Sequence, residues 1–298
     1  MVVIKGAGIS GLTCALNLAK CGFDVELHEA AEALGAAHGC SVVTVKNGEG
    51  DTLDEMRGLS SRRITGVPVR RIVRILPDGR KKESKSGKPL YYNFLRGTHE
   101  SALERVIARD ARSFGARIIF RSSHAPSAHV IATGFSTKNV LGYGATFANA
   151  RFPEDTVFLF LHSESTPDYT YIATHGQFST ICSVCFSRER FKGVPQIFND
   201  FVGDNETVLS GLEGARKAAG IKHYASILAS CKPVQRGKIN IGEAAGFLDP
   251  LKGFGVRYAM LSGFLAASAI ADGKDYAALC NDRIVNEIEG RRLLPPKP

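Results

Sequence analysis

The 298-residue sequence has no tryptophan, no apolar run long enough to cross a bilayer and no paired cysteine framework. The most apolar later stretch, residues 258–271, is too short and too rich in Ala, Ser and Gly to span a membrane. No export signal is expected ahead of the first strand, because Val2-Val3-Ile4 begins at once and runs into a glycine turn. A cytoplasmic protein is expected, attached to a membrane at most from one side. The seven cysteines (Cys14, Cys21, Cys40, Cys182, Cys185, Cys231, Cys280) are odd in number and scattered, so reduced thiols are expected. Cys182 and Cys185 form a C-x-x-C inside a strand-like stretch, residues 179–186. Three apart on a strand, their side chains point to opposite faces. There is no second pair to complete a zinc site and no helix N-terminus for a redox pair. Core packing is expected of them, and no metal site is expected in the chain. Internal repeats and low-complexity segments are also lacking.

What is present is an ordinary globular composition, 44% apolar and 22% charged, in a chain long enough for one large or two modest domains. Its charge of +9 is unevenly placed. Residues 57–96 carry twelve basic side chains against Asp78 and Glu83, a local +10 that leaves the remainder near −1. Such a field attracts phosphate or anionic lipid headgroups. It equally suits a solvated hairpin, since Pro77-Asp78-Gly79 signals a turn and basic side chains on an edge strand discourage aggregation. No recognised nucleic-acid module accompanies the charge, so nucleic acid is not an expected partner.

Periodicity and turn signals give the order of elements. Residues 2–5 read as a buried strand, 10–21 as a helix, and Val25–His28 as a second strand ended by Glu29. A long irregular stretch follows, with strand-like pieces at 41–45 and 67–76. Residues 100–114 read as a helix with Leu103, Val106, Ile107 and Ala111 at helical spacing. Strands are expected at 117–120 and 129–132, the second ended by Thr133-Gly134. Residues 158–161, 169–174 and 178–186 are rich in β-branched and aromatic side chains and predict an antiparallel sheet. A helix near 206–219, a strand at 238–241 and a helix of small residues at 256–271 complete the pattern. The fold expected is α/β: a doubly wound, Rossmann-type cofactor domain with an inserted antiparallel β-sheet substrate domain. The cofactor domain would comprise 1–56, 97–145 and 236–298, and the substrate sheet 57–96 and 146–235.

Chemistry enters at two glycine-bearing stretches. Residues 2–11 are a strand feeding a G-x-G-x-x-G turn. Gly6 permits the tight turn, Gly8 lets backbone approach a pyrophosphate, and Gly11 lets helix and strand pack closely. The amides of Ile9 and Ser10 then open a helix whose N-terminus favours phosphate. Glu29 stands where a carboxylate accepts hydrogen bonds from a ribose. The late stretch begins with a strand ending at Gly242, where Glu243 can bond the second half of an extended cofactor. Asp249-Pro250 turns the chain, and Gly253-Phe254-Gly255 brings backbone amides to something flat before the helix starting at Val256.

These two motifs together resemble the FAD-dependent family of para-hydroxybenzoate hydroxylase, and within it most of all the geranylgeranyl reductases, whose late motif ends in a helix similar to Ala259-Met260-Leu261-Ser262-Gly263. The resemblance implies FAD as cofactor. It further implies that Arg96, in Arg96-Gly97-Thr98-His99-Glu100 followed by Leu103, lies near the cofactor. Gly39-Cys40 resembles the reductases' cysteine beside the flavin ring, which makes Cys40 the candidate catalytic residue. His38, His99 and His175 are further candidate acids without a motif to support them. Glu243 replaces the family's Asp, Thr133-Gly134 its Asp-Gly, and Tyr169-Thr-Tyr171 only partly matches its lipid-pocket motif. The chain also stops soon after the last helix, so a C-terminal cap would be short or missing.

The activity implied is reduction of carbon–carbon double bonds in an apolar, isoprenoid-like substrate by hydride from flavin N5. No second dinucleotide fingerprint is visible, so NAD(P)H or another reductant would act without its own domain. The rivals are an aromatic monooxygenase of the same fold and a non-catalytic FAD-holding subunit. Through 57–96, peripheral contact with an anionic membrane is the further expectation.

Overall fold

The computed structural model describes residues 1–293 apart from 49, 124, 126, 136, 164 and 165. The terminal Pro295-Pro296-Lys297-Pro298 lies outside the described residues. The chain opens with β1 (Val2–Lys5), α1 (Ile9–Lys20) and β2 (Val25–His28), as the glycine pattern predicts. Then come β3 (Cys40–Lys46), α2 (Thr52–Leu59), β4 (Val67–Val69), β5 (Arg71–Ile75), β6 (Lys81–Lys85) and β7 (Tyr91–Gly97). The helix α2 was not legible in the pattern. It starts where the Asp51 carboxylate accepts from the Leu53 and Asp54 amides, at 2.9 and 3.1 Å. Next are α3 (Leu103–Ser113), β8 (Arg117–Ile119) and β9 (Val130–Ile131).

The middle of the chain runs β10 (Val140–Ala148), β11 (Thr156–Leu161), β12 (Tyr169–His175), β13 (Phe178–Cys185), α4 (Val194–Asp204), α5 (Glu206–Gly211) and β14 (Arg216–Ala225). The helix expected over 206–219 is therefore cut short. Gly214 takes φ +74° and turns the chain, and the remainder pairs as β14 along β10. The end comprises β15 (Val234–Gln235), β16 (Lys238–Asn240), α6 (Val256–Asp272), α7 (Tyr276–Cys280) and α8 (Asn286–Arg292), the last two joined by a π-turn at Asn281–Val285. This helical run after α6 was not expected. It is anchored by fully buried Ile284 and Ile288 and by the Tyr276 hydroxyl, which donates to the Asn240 carbonyl at 2.9 Å.

Three sheets result. The first has the order β15-β16-β9-β1-β2-β8, with every pairing parallel except β15 with β16. The second, β14-β10-β13-β12-β11-β5-β6, is antiparallel except where β5 lies parallel to β11. The third, β3-β7-β4, is antiparallel and bridges them. One strand-like piece expected over 67–76 is thus two strands in different sheets. The chain crosses over at Arg70 and Arg71, whose amides both donate to the Asp155 carbonyl. Buried Val42, Val69, Leu95, Val157 and Ala173 join the third sheet to the second. The main core packs α1, α3 and α6 about the parallel sheet, while α4 and α5 cover the second sheet through Phe198 and Val208. Cys182 and Cys185 are buried on β13, and no disulfide links the cysteines.

The basic segment is divided by the fold. Arg57, Arg63, Arg71, Arg80 and Arg96 each meet a carboxylate. Lys81, Lys82, Lys85 and Lys88 stand exposed on or beside β6, the sheet's outer strand, beyond the turn at Pro77-Asp78-Gly79. Among the described residues no helix is long and apolar enough to cross a membrane.

Candidate cofactor site

Four adjacent parallel strands, β16, β9, β1 and β2, end side by side, and one of the sequence's signals sits just past each of them. Glu29 follows β2, Gly6 follows β1, Thr133-Gly134 follows β9, and Gly242-Glu243 follows β16. The crevice outside the carboxyl ends of such strands is where α/β sheets bind ligands. Gly6 has φ +103°, and a Cβ there would lie 2.5 Å from the Ala132 carbonyl oxygen. A Cβ on Gly11 would lie 2.0 Å from the Gly6 oxygen. Gly8 differs: its φ of −74° suits any residue, and a side chain would point into open space. What its glycine leaves clear is the approach to the N-terminus of α1, which has no side-chain cap. The buried Ile9 and Ser10 begin this helix. Its first-turn amides and dipole suit a phosphate.

The two motifs meet. A Cβ on Gly242 would lie 2.7 Å from the Ser10 hydroxyl, and one on Gly263 would lie 2.4 Å from the Ser10 carbonyl. The Gly242 amide donates to Ser262 at 2.9 Å, so α6 holds the late motif against α1. Glu29 uses its carboxylate within the turn, accepting from the Ala7 amide at 2.8 Å and the Ala31 amide at 2.9 Å. Glu243 is half-buried beside Gly134. Burial pushes its carboxyl above the ordinary range, opposed by hydrogen bonds from Ser226 and Phe135 and by the Arg96 charge.

Arg96 and Cys40 lie at the ends of β7 and β3, where Ser41 pairs with Arg96 and Cys40 with Gly97. Arg96 is fixed by Glu104, which is 1% exposed and also accepts from the Gly97 amide at 3.2 Å. Sequence reasoning missed Glu104. Its signal was an acid on the apolar side of an amphipathic helix. Cys40 is half-buried, and burial raises its thiol, which keeps it protonated. The His38 and His223 rings meet nearby at a tilt of 57°, with centroids 5.4 Å apart. Burial, then the Arg96 charge, holds both imidazoles below their ordinary range, His223 at about 4. Their Nδ1 atoms and the Ser41 hydroxyl are shut from solvent without partners. His223 lies on β14, a strand the sequence did not reveal. His99 packs instead on Phe178, and His175 ends β12.

The remaining residues of the late motif gather elsewhere. Asp249 is 1% exposed and spends its carboxylate on the Leu251 and Lys252 amides and on Arg291. Gly253 has φ +71° and faces Phe186, while Gly255 precedes α6 beside Leu248. Phe254 meets Tyr91 edge-on and, with Val256, lines a cavity of about 830 Å³ bounded by Thr44, Lys46, Glu55 and Arg257. None of Gly6 to Gly11 lines it. The structure thus joins Gly6, Gly8, Ile9, Ser10, Gly11, Glu29, Gly242 and Glu243 along one strand-end crevice. Arg96 and Cys40 adjoin it, and Asp249 to Val256 form a separate wall. The open approach at Gly8, the uncapped helix and the unpartnered polar atoms beside Arg96 fit an extended dinucleotide.

No family model and no curated protein matches the sequence. Solved structures do. A geranylgeranyl bacteriochlorophyll reductase-like protein from Thermoplasma acidophilum superposes with a TM-score of 0.72 at 16% identity, covering 99% of this chain and 88% of that one. A triple mutant of the flavin-dependent brominase Bmp2 gives 0.66 at 17%, over 94% and 83%. A mutant of 2-methyl-3-hydroxypyridine-5-carboxylic acid oxygenase gives 0.63 at 18%, over 97% and 86%. The chain has the fold these proteins share, an α/β core on a parallel, Rossmann-like sheet with a separate, largely antiparallel sheet.

Proposed function

We propose that the chain is a FAD-dependent oxidoreductase that reduces carbon–carbon double bonds of an apolar, isoprenoid-like substrate. One observation carries the flavin reading: the two glycine motifs follow β1 and β16, parallel strands of one sheet with only β9 between them, and touch through Ser10 and Gly242. Bound FAD would supply hydride transfer at N5, with NAD(P)H or another reductant as donor. The protein's own part is positioning. The α1 amides would take the pyrophosphate, Glu29 the ribose, and Arg96, held rigid by Glu104, the region between the motifs. Cys40, kept protonated by burial, would be the proton donor. Tyr91, Leu159, Tyr171 and Phe178 pack with it on the same buried cluster between the second and third sheets, apolar surface that suits such a substrate. Cytoplasmic location, with contact to anionic membrane through Lys81, Lys82, Lys85 and Lys88, belongs to the same proposal.

The test begins with colour. The purified protein should carry or take up FAD and absorb as a flavoprotein; a colourless protein that refuses FAD on reconstitution removes the proposal. A reductase should then saturate its substrate under nitrogen. A second reading, aromatic monooxygenase, is supported by the likeness to the pyridine-carboxylate oxygenase. It requires oxygen uptake in step with substrate. A flavin that resists every reductant would instead favour the non-catalytic FAD-holding subunit.

A further inference from the structure

We infer that the cavity beside α3 receives the phosphate group of a small phosphorylated molecule other than FAD, held by Arg105, Arg109 and Arg112. The inference deepens the flavin reading, on which it rests only for the visitor's identity as electron donor or substrate.

Helix α3 buries Leu103, Val106, Ile107 and Ala111. Its outer side carries Arg105, Arg109 and Arg112, spaced so that they share one stripe. Like charges at that spacing repel, and the helix's own acids do not offset them. Glu104 is taken by Arg96, and Asp110 by Arg63 and the Ser61 hydroxyl. Among the described residues none of the three arginines meets a carboxylate. The Arg105 Nε is shut from solvent without a hydrogen-bond partner. Arg112 is steadied over the Phe120 ring, 5.9 Å from its centroid. The three border a cavity of about 430 Å³ floored by Leu34 and Ala108, with Thr98 and Glu100 completing the lining. Glu100 is the one acid on that lining, so the cavity carries a net charge of +2.

An unpaired guanidinium stripe in a concave site suits phosphate, whose oxygens accept paired N–H donors. The volume matches a small-molecule site. The cavity is distinct from the strand-end crevice, because none of Gly6 to Gly11, Glu29 or Gly242 lines it. It is nevertheless close to the flavin elements. The Thr98 amide and hydroxyl donate to the Gly39 carbonyl at 2.7 and 3.0 Å, and Gly35 packs directly on Gly97. A phosphate held there would tether a molecule whose reacting end reaches the Cys40 side.

The experiment is calorimetry on the FAD-loaded protein at low salt, with three probes. Adenosine 2′,5′-bisphosphate stands for a phosphorylated nicotinamide dinucleotide, inorganic pyrophosphate for a diphosphate-headed substrate, and adenosine for the nucleoside alone. At least one phosphorylated probe should bind and adenosine should not. The double variant R109A/R112A, altered at two exposed positions, should weaken that binding about ten-fold or more, with flavin content and melting temperature unchanged. Tighter binding of the bisphosphate identifies a nucleotide donor, and tighter binding of pyrophosphate a diphosphate substrate. Failure of both phosphorylated probes overturns the inference, as does equal affinity in the double variant. Loss of flavin from that variant overturns it too, by making the cavity part of the FAD site. If the protein takes no flavin at all, the same titrations on the flavin-free chain decide the phosphate site separately.

Discussion

Beside the parallel sheet, Gly6, Gly11 and Gly263 stand where one backbone touches another; on the seven-stranded sheet and the helix covering it, Gly142 and Gly211 stand where an aromatic ring lies over the backbone. Gly6, Gly11 and Gly263 would each place a Cβ within 2.5 Å of a carbonyl oxygen. Gly142 would instead meet the His223 ring at 2.8 Å, and Gly211 the Phe152 ring at 2.1 Å, with Gly144 an exception against the Ile181 carbonyl. Backbone cannot step aside as a ring can. The parallel-sheet half is therefore set at these positions by backbone contacts that admit only glycine, whereas rings in the other half, that of the seven-stranded sheet, can shift.

The sharpest way to break this comparison is to add one methyl group to each half. Gly11→Ala should destabilise the protein by at least about 3 kcal/mol and abolish FAD uptake, because overpacking there must move backbone. Gly142→Ala should cost about 1 kcal/mol, as the His223 ring can shift. Denaturant melts of both variants, with flavin content, check this. Equal losses would mean the two halves are equally rigid.

The same contrast explains what could be read from the sequence. Gly6, Gly11 and Gly242 were legible because close backbone approach or positive φ dictates residue type at fixed spacing, and Gly8 and Glu29 followed from their places in that spacing. The strand β10 was missed because Gly142, Gly144 and Ala145 interrupt its β-branched pattern; the glycines leave room for His223 and for close approach of β13. Likewise β14, Arg216–Ala225, reads as a polar, helix-prone stretch, and pairing with β10 overrides that preference. Glu104 was hidden because its partner, Arg96, comes from another element. The late motif was read as one surface, yet Asp249 turns inward to Arg291, contributed by a helix the pattern did not show.

Ion pairs extend the comparison at smaller scale. Glu104 is buried and its partner Arg96 nearly so, hence Glu104→Gln leaves a guanidinium with a weakened acceptor and should cost about 2 kcal/mol. Arg151 and Glu213, on the sheet half, pair at 2.8 Å but are 67% and 73% exposed. Glu213→Gln should change stability by no more than about 0.5 kcal/mol. Thermal melts distinguish the two, and a costly Glu213→Gln would show that exposure does not govern these pairs.

Acid probes the seam between the halves. The His223 imidazole is held at about 4 in the folded chain, against 6.5 when unfolded. Since the folded state resists protonation, its stability is full above the unfolded value and falls as pH drops from 6.5 toward 4. His38 acts in the same direction. Glu243, with a raised pKa, acts oppositely, gaining stability as acid relieves its buried charge. Comparing His223→Gln with the parent cancels those shared contributions. The variant should lose about 1 kcal/mol less between pH 6.5 and 5. Parallel stability profiles would mean that this ring is solvated in the folded protein.

The smallest effect expected is at the rim of the sheet half. The fold pairs five of the twelve basic residues of 57–96 with carboxylates, so the field is weaker than the sequence count implies. What remains exposed on the outer edge is Lys81, Lys82, Lys85 and Lys88. Each lysine near an anionic surface contributes about 1 kcal/mol, and that attraction is screened within a Debye length. Weak sedimentation with anionic vesicles is expected, fading as salt rises and lost in K81E/K82E. Equal sedimentation with neutral vesicles would refute the electrostatic account. The lysines would then serve only to keep an outer strand from pairing with another chain, which is the other use of charge at a sheet edge.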